Sequence, residues 1–519
     1  MEFLKNINPR DYQIEIANKC IEKNCLVVLP TGLGKTLIAL MVCIERMKKF
    51  PGQKVVFLAP TKPLIEQHLI FFKKHLPELF AEMNLFTGKV KSNERKKIWQ
   101  SSDIIFSTPQ CIANDLKKEL YSLEEVCLLI EDEAHRCIRN YDYNYIAQIY
   151  IKQSKNSRIL GLTASPGSDY SKVKEICKNL FIEGVELKTR ESEEVKPYLK
   201  ELTFEKKIVN FPPEFMEIRE LIRNIFNDYL ENLRRRKLIF NNSSKTELIL
   251  LQKKLMKKAN FGKKDYSILL AIADCSQAIR MQHGLELIET QTLKTFNDFI
   301  KDLFKQASEK NTRSLNSLIK RKEFNLAYIK ANELLSKGIE HPKIKELIDL
   351  INQEKNKKDF KAIIFSQFRT TAAIISRELN KIEGIKSKVF IGQTKKESLG
   401  EQIGLNQKEQ RRLIEEFSEG KINVLCATSI GEEGLDIPEV SLVVFYEPVP
   451  SAIRKIQRGG RTARLSPGKI IILITKGTRD ETFYYVSNAK EKKMHKVIDD
   501  IKQEMINKEK TQEKQQTLL

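Results

Sequence analysis

Scarcity narrows the problem first. The 519 residues include one tryptophan, six histidines and nine cysteines. The cysteines lie apart, with no Cys-x-x-Cys pair and no Cys/His cluster at zinc spacing, which argues against a disulfide scaffold and a structural zinc site. Cys43, Cys127 and Cys426 sit inside apolar runs, the pattern of reduced core thiols in a cytoplasmic protein. Long apolar runs are missing too. No stretch reaches the roughly 18 uncharged residues of a membrane-spanning helix, and Met1 to Lys19 lacks the apolar centre of a secretion signal. Negative charge is in short supply. With 68 Asp plus Glu against 90 Lys plus Arg, the formal net charge is +22, a balance that favours a polyanionic partner.

What is present falls into two similar blocks. Short β-rich runs recur at Leu26 to Leu29, Val55 to Ala59, Asp103 to Ser107, Val126 to Ile130 and Arg158 to Leu162, with helical spacing between them. The same grammar returns at Lys361 to Phe365, Ser387 to Phe390, Asn423 to Ala427, Leu442 to Tyr446 and Lys469 to Ile474. Alternating strand and helix signals predict an α/β domain with a parallel sheet in each block. Residues 205–344 carry helical spacing instead, and within them residues 231–270 hold eleven basic side chains against three acidic ones. The expected division is 1–204 and 345–490 for the α/β domains, 205–344 for a basic helical insertion, and 491–519 for a charged tail that frays or is disordered.

The first block contains one half of a phosphate-handling site. The run Pro30-Thr31-Gly32-Leu33-Gly34-Lys35-Thr36 stands between a strand and a helix, with Leu29 where the general phosphate-loop pattern has its first glycine. Gly32 and Gly34 allow backbone N–H groups to close around phosphate, Lys35 can reach the β and γ phosphates of ATP, and the Thr36 hydroxyl can hold Mg²⁺. The strand Val126 to Ile130 runs into Glu131-Asp132-Glu133-Ala134-His135. Asp132 would hold the same Mg²⁺ and Glu133 would orient and deprotonate the attacking water.

Further motifs follow in a fixed order. They are Arg10-Asp11-Tyr12-Gln13, Ala59-Pro60-Thr61-Lys62, Thr87-Gly88, Ser107-Thr108-Pro109-Gln110, the Asp-Glu-Ala-His box and Thr163-Ala164-Ser165-Pro166. The second block adds Phe365-Ser366-Gln367-Phe368-Arg369, a run from Thr428 to Pro438 containing Gly434 and Asp436, and Gln457-Arg458-Gly459-Gly460-Arg461-Thr462-Ala463-Arg464. This order resembles superfamily 2 helicases of the DEAH spelling, in particular the archaeal Hef and FANCM group of fork-DNA translocases. The resemblance implies two RecA-like parallel-sheet domains with a thumb-like helical insertion that grips duplex or branched DNA. It implies that Gln13 reads adenine, and that Gly434 and Asp436 sense ribose and phosphate across the cleft. It further implies that Arg461 and Arg464, preceded by Gln457, point at the γ-phosphate from the opposite domain. His135, Thr163 and Ser165 would link the ATP site to the nucleic-acid groove, lined by Thr61, Lys62, Thr108, Gln110, Gln367 and Thr428. Within the insertion, Arg234, Arg235, Arg236 and Lys237 are the expected DNA contacts.

Two departures stand beside this resemblance. Glu94-Arg95-Lys96 is similar to an XPF-type nuclease motif, but Gln100 replaces its metal-binding Asp; the segment reads as a surface helix, and no nuclease domain is expected. The end, Lys514 to Leu519, is similar to the opening of a sliding-clamp-binding peptide without its aromatic pair. DNA, forked or branched, is the expected partner. Double-stranded RNA, the substrate of the similarly spelled Dicer and RIG-I-like helicases, and an ATP-switched scaffold remain as alternatives.

Overall fold

A computed structural model describes residues 3–198, 201–241, 243–261, 265–310, 312–392, 396–398, 401–428, 437–449, 451 and 468–516. Two parallel sheets form its frame. The first is built from β1 (Cys25–Val28), β2 (Lys54–Leu58), β3 (Met83–Phe86), β4 (Ile104–Ser107), β5 (Val126–Asp132), β6 (Ile159–Thr163) and β7 (Gly184–Leu187), in the order β3-β4-β2-β5-β6-β1-β7. All pairings are parallel. Strands β1, β2, β4, β5 and β6 are buried throughout, as their apolar runs require when helices cover both faces. The helices Asp11–Glu22, Lys35–Lys49 and Lys62–His75 cover one face, and Asp142–Gln153 and Tyr170–Asn179 the other. Strands β3 and β7 lie at the edges; β3 is half covered and β7 is buried except at Leu187, and four residues each leave only a weak pattern in the sequence.

The second sheet shows where the insertion begins. Residues 202–209, expected to straddle the end of the first domain and the start of the insertion, form β8 (Leu202–Val209). This strand joins β9 (Ala362–Phe365), β10 (Ser387–Phe390), β13 (Val424–Ala427), β14 (Leu442–Phe445) and β15 (Gly468–Thr475) in the parallel order β10-β13-β9-β14-β15-β8; β11 (Lys396–Ser398) and β12 (Glu401–Ile403) form a separate hairpin. All eight residues of β8 pair with β15. Its mixed sequence, with exposed Phe204 and Ile208 beside charged side chains, is that of an edge strand, whose partner lies far along the chain. The insertion therefore emerges from the second sheet, not from the junction between the two.

Among the described residues six helices build the insertion: Pro213–Arg235, Lys245–Phe261, Tyr266–Thr290, Leu293–Lys310, Arg313–Ile319 and Lys322–Ser336. Phe215, Ile218, Ile222, Ile225, Tyr229 and Leu233 recur along one face of the first and enter a core of the insertion's own. A buried polar seam then fastens it to the second sheet. Gln291 donates to Glu447 Oε2 (3.3 Å), Thr295 and Thr371 share a hydroxyl contact (3.1 Å), and Lys343 Nζ meets both Asp480 Oδ2 (2.5 Å) and the Thr290 carbonyl (3.2 Å). Partnered polar contacts in a dry seam fix one relative orientation, so the insertion and the second sheet behave as one unit.

The expected disordered tail is corrected by the structure. Helix Arg479–Gln516 leaves the second sheet and crosses to the first domain, where Met494, Val497, Ile498 and Ile501 enter the core. Lys174 pairs with Glu504 at 3.0 Å, and Tyr170 donates to the same carboxylate at 2.7 Å. The apolar residues recur three, four and seven positions apart, a helical stripe diluted by surrounding Lys, Glu and Gln. Of the clamp-like end, residues 517–519 lie outside the described residues.

Candidate nucleotide and nucleic-acid sites

The phosphate loop lies at the carboxyl end of β1, between β6 and the edge strand β7, on the side of the first sheet where open parallel sheets bind ligands. Gly32 and Gly34 have φ of 88° and 84°, a left-handed conformation that favours glycine, and the helix Lys35–Lys49 starts directly after them. Gly34 is constrained twice, since a Cβ there would collide with the Gln13 amide. Leu29 and Leu33 are buried; the Leu29 N–H donates to the Thr163 carbonyl at 3.0 Å. Lys35 Nζ donates to the Leu29 carbonyl at 2.9 Å, so the ammonium already lies against the loop that Pro30 and Thr31 continue.

Gln13 is buried, and both ends of its amide are engaged. Its Oε1 accepts from the Arg10 N–H (2.9 Å) and its Nε2 donates to the Leu33 carbonyl (3.0 Å), which also accepts the Tyr12 hydroxyl (2.9 Å). These bonds brace the phosphate loop from behind.

Asp132 ends β5 within the same site. Its Oδ2 lies 2.8 Å from His68 Nε2, and His68 Nδ1 lies 3.4 Å from Thr36 Oγ1. Burial alone would raise the Asp132 pKa, but the His68 hydrogen bond and charge, with Lys35 nearby, bring it below the ordinary value. The sequence does not single out His68, since one of two imidazoles on a largely apolar helix gives no sign of its partners. Only folding carries it to the two residues expected to share a metal.

Glu133 follows with φ 53°, a left-handed conformation that a non-glycine residue rarely adopts and that costs about 1–3 kcal/mol. His135 Nδ1 lies 3.2 Å from both Glu133 Oε2 and Thr163 Oγ1. Thr163 Oγ1 accepts the Ser165 N–H at 3.1 Å, and the Ser165 hydroxyl meets Met494 Sδ of the crossing helix at 2.8 Å. The three expected coupling residues thus form a continuous contact path from Glu133 to a helix that originates in the second sheet. Glu131, one residue before Asp132, is fully buried with neither carboxyl oxygen hydrogen-bonded, and burial pushes its pKa well above the carboxylate range. Glu131→Leu is therefore expected to stabilise the protein by on the order of 1–3 kcal/mol in urea melts, because it removes an unmet desolvation cost. Destabilisation would show that the carboxyl has a partner role.

Residues expected on the nucleic-acid face follow strand ends. Thr61 and Lys62 follow β2, Thr108 and Gln110 follow β4, Gln367 follows β9 and Thr428 follows β13. Their surroundings differ. Lys62 pairs with Glu66 (3.3 Å), Thr108 Oγ1 donates to Cys111 Sγ (3.4 Å), the Gln367 N–H is taken by Glu447, and Thr428 is buried with its N–H on the Phe390 carbonyl (3.2 Å). In the insertion, Arg236 is tied to Asp274, while Arg234 and Arg235 share Glu231; the Arg235 side chain stays 75% exposed. Lys237 has φ 56° at the turn after the helix. Gly434, Asp436, Gln457, Arg461 and Arg464 lie outside the described residues.

The Glu94-Arg95-Lys96 segment is not simply a surface helix. Arg95 is buried and forks onto Asp115 at 2.6 and 2.5 Å, with Tyr121 donating to the same carboxylate at 3.0 Å. This arginine anchors the helix Ser92–Ser101 to its neighbour.

All nine cysteines are buried and unbridged. Among the described residues no group of three or more Cys, His, Asp or Glu could hold a metal ion, and no helix is long and apolar enough to cross a membrane.

Comparison with known proteins matches three successive segments of the chain. Residues 6–168 match the family model "Type III restriction enzyme, res subunit", and residues 342–466 match "Helicase conserved C-terminal domain". Residues 214–338 match "Putative ATP-dependent RNA helicase, helical bundle". The Methanocaldococcus jannaschii protein called "Putative ATP-dependent RNA helicase MJ1505" is 39% identical, with 95% of this chain and 61% of that protein aligned. The mouse Fanconi anemia group M protein homolog is 31% identical over 95% of this chain and 26% of its own length. ATP-dependent DNA helicase MPH1 of Debaryomyces hansenii is 32% identical over 92% and 48%. The chain thus spans between about a quarter and three fifths of these curated relatives. The crystal structure of the Pyrococcus furiosus Hef helicase domain superposes with a TM-score of 0.69 at 42% identity, covering 92% of this chain and 98% of that one. Identity of 42% along nearly all of that helicase domain, with the fold shared, shows that this chain belongs to the Hef and FANCM family of superfamily 2 helicases.

Proposed function

We propose that this protein is an ATP-dependent DNA helicase or translocase that acts on forked or branched DNA in replication-fork repair. The observation that carries the reading is the convergence of Lys35, Thr36, Asp132 and Glu133 on one end of the first sheet, together with a basic insertion fastened to the second. In this reading Thr36 and Asp132 hold Mg²⁺. Both are hard oxygen donors, which magnesium prefers, and both already contact one imidazole. Magnesium held by these two residues would supply positive charge to the bound phosphates. Lys35 exchanges the Leu29 carbonyl for phosphate, Gln13 braces the loop and reads adenine, and Glu133 orients the attacking water. Gln457, Arg461 and Arg464 complete the site from the second domain, so that turnover requires the domains to close.

The insertion and second sheet, moving as one unit, would carry DNA bound to the basic helices along with each closure. Arg235 and Lys237 are its best-placed phosphate contacts, whereas Arg236 serves the fold through Asp274. Arg235→Gln with Lys237→Gln is expected to reduce the slope of log affinity against log salt by about 1–2, measured by anisotropy with duplex DNA. An unchanged slope would remove both from the interface.

RNA is the second reading, favoured by the name of the Methanocaldococcus relative. ATPase rates with forked DNA, linear duplex, single strands and double-stranded RNA decide between them. Stimulation by RNA above DNA overturns the substrate assignment, and stimulation by none overturns the motor.

A further inference from the structure

We propose that His68 is a positioning residue that connects the magnesium ligands Thr36 and Asp132 to nucleic-acid contact at the start of its own helix. The proposal rests on the reading of Thr61 and Lys62 as nucleic-acid residues.

The helix Lys62–His75 opens immediately after β2, with the Thr61 carbonyl accepting the Ile65 N–H at 3.1 Å. Its first turn lies at the sheet end where phosphate contacts are expected. Lys62 pairs with Glu66, and Glu66 also pairs with Arg411, which lies on the helix Gln407–Ser418 of the second domain. His68 stands six residues from Lys62, about 9 Å further along the axis. There the polar surface gives way to core. The imidazole is buried, stacks on Phe57 with ring centroids 4.5 Å apart, and uses one nitrogen for Asp132 and the other for Thr36. Phe57 is itself packed on Phe72 of the same helix and on Phe106 of β4.

This packing gives His68 no independent freedom. The ring shifts only when the helix shifts, and a 2.8 Å hydrogen bond is lost with a displacement of less than 1 Å. A phosphate drawing on Lys62, or a second domain pulling on Glu66 through Arg411, therefore acts on the orientation of Asp132 through one rigid element. Outer partners of metal ligands commonly set affinity by 10- to 100-fold. Coupling between two binding sites is reciprocal, so the same contact must let magnesium-bound nucleotide alter affinity for DNA.

The test uses the whole chain and equilibrium binding. Fluorescent ATP-analogue affinity is measured with and without Mg²⁺, and forked-DNA anisotropy with and without the magnesium-bound analogue. The wild type is expected to show at least about fivefold coupling between analogue and DNA. His68→Ala should lower the magnesium-dependent gain in analogue affinity by about tenfold or more and bring coupling towards unity. Analogue affinity without magnesium and DNA affinity without analogue should stay within about twofold, which also verifies that the variant is folded. His68→Gln, which retains a hydrogen-bonding group, should recover part of both losses and carries the test if the alanine variant does not fold. Lys62→Ala should weaken DNA binding without analogue. If His68→Ala keeps both the magnesium gain and the coupling while Lys62→Ala weakens DNA binding, the His68 proposal alone is overturned. If Lys62→Ala leaves DNA binding unchanged, the nucleic-acid reading of the helix start is overturned and the proposed connection with it.

Discussion

Glu133→Gln is expected to lower ATP turnover by about 10²–10⁴-fold while ATP affinity stays within a few-fold, a split that single-turnover hydrolysis and direct nucleotide binding would resolve. Three features point to it. Glu133 sits at the carboxyl end of β5 directly after Asp132, its backbone holds a left-handed conformation, and its buried Oε2 accepts no hydrogen bond even with His135 at 3.2 Å. A carboxylate held in a strained place with an acceptor to spare suits a base for water. The amide keeps the size and removes the basicity. A variant that still turned over at a tenth of the wild-type rate or more would take Glu133 out of the proton transfer.

The second large effect is on stability. Lys343→Met should destabilise the protein by about 3–5 kcal/mol, because it leaves the Asp480 carboxylate buried without its cation. Neither side chain has any exposed surface. The ammonium also lies over the Tyr446 ring at 5.2 Å and donates to Thr290, and Asp480 accepts the Thr475 N–H at 3.0 Å. The pair thus joins the last turn of an insertion helix to β14, β15 and the start of the crossing helix. Urea unfolding should show the loss, and Lys343→Met with Asp480→Leu should recover most of it, since an apolar replacement of both partners leaves no charge behind. If the double variant were no more stable than the single one, the pair would not be the source of the cost.

Much of the candidate nucleotide site is legible in the sequence, for a local reason. Phosphate loops and acidic strand ends are short contiguous segments whose glycines, cations and carboxylates act within a few residues of one another, so Gly32 to Thr36 and Asp132 to Glu133 stand out in the chain. The two parallel sheets were legible for a similar reason, because a strand buried on both faces must be apolar along its whole length, as β5 is.

Other features had no local signal. Edge strand β8 draws its hydrogen bonds from β15, so its own residues need not alternate, and the insertion's attachment to the second sheet could not be read. The crossing helix carries four core residues among charged ones, a stripe that acquires meaning only against the first domain. Arg95 reads as a surface charge in the sequence because Asp115 lies on another helix, and nothing local marks Lys343, because its partner Asp480 follows far later in the chain. His68 belongs to the same class.

The sequence by itself determined which residues make up the candidate ATP site, the two-sheet class and the basic character of the insertion, since each is written in contiguous residues or in composition. Tertiary structure alone decided that the insertion is fastened to the second sheet, that the last helix returns to the first, and that His68 stands between two candidate magnesium ligands. Each of those depends on pairing between residues distant in the chain, where geometry is set by packing and no periodicity records it.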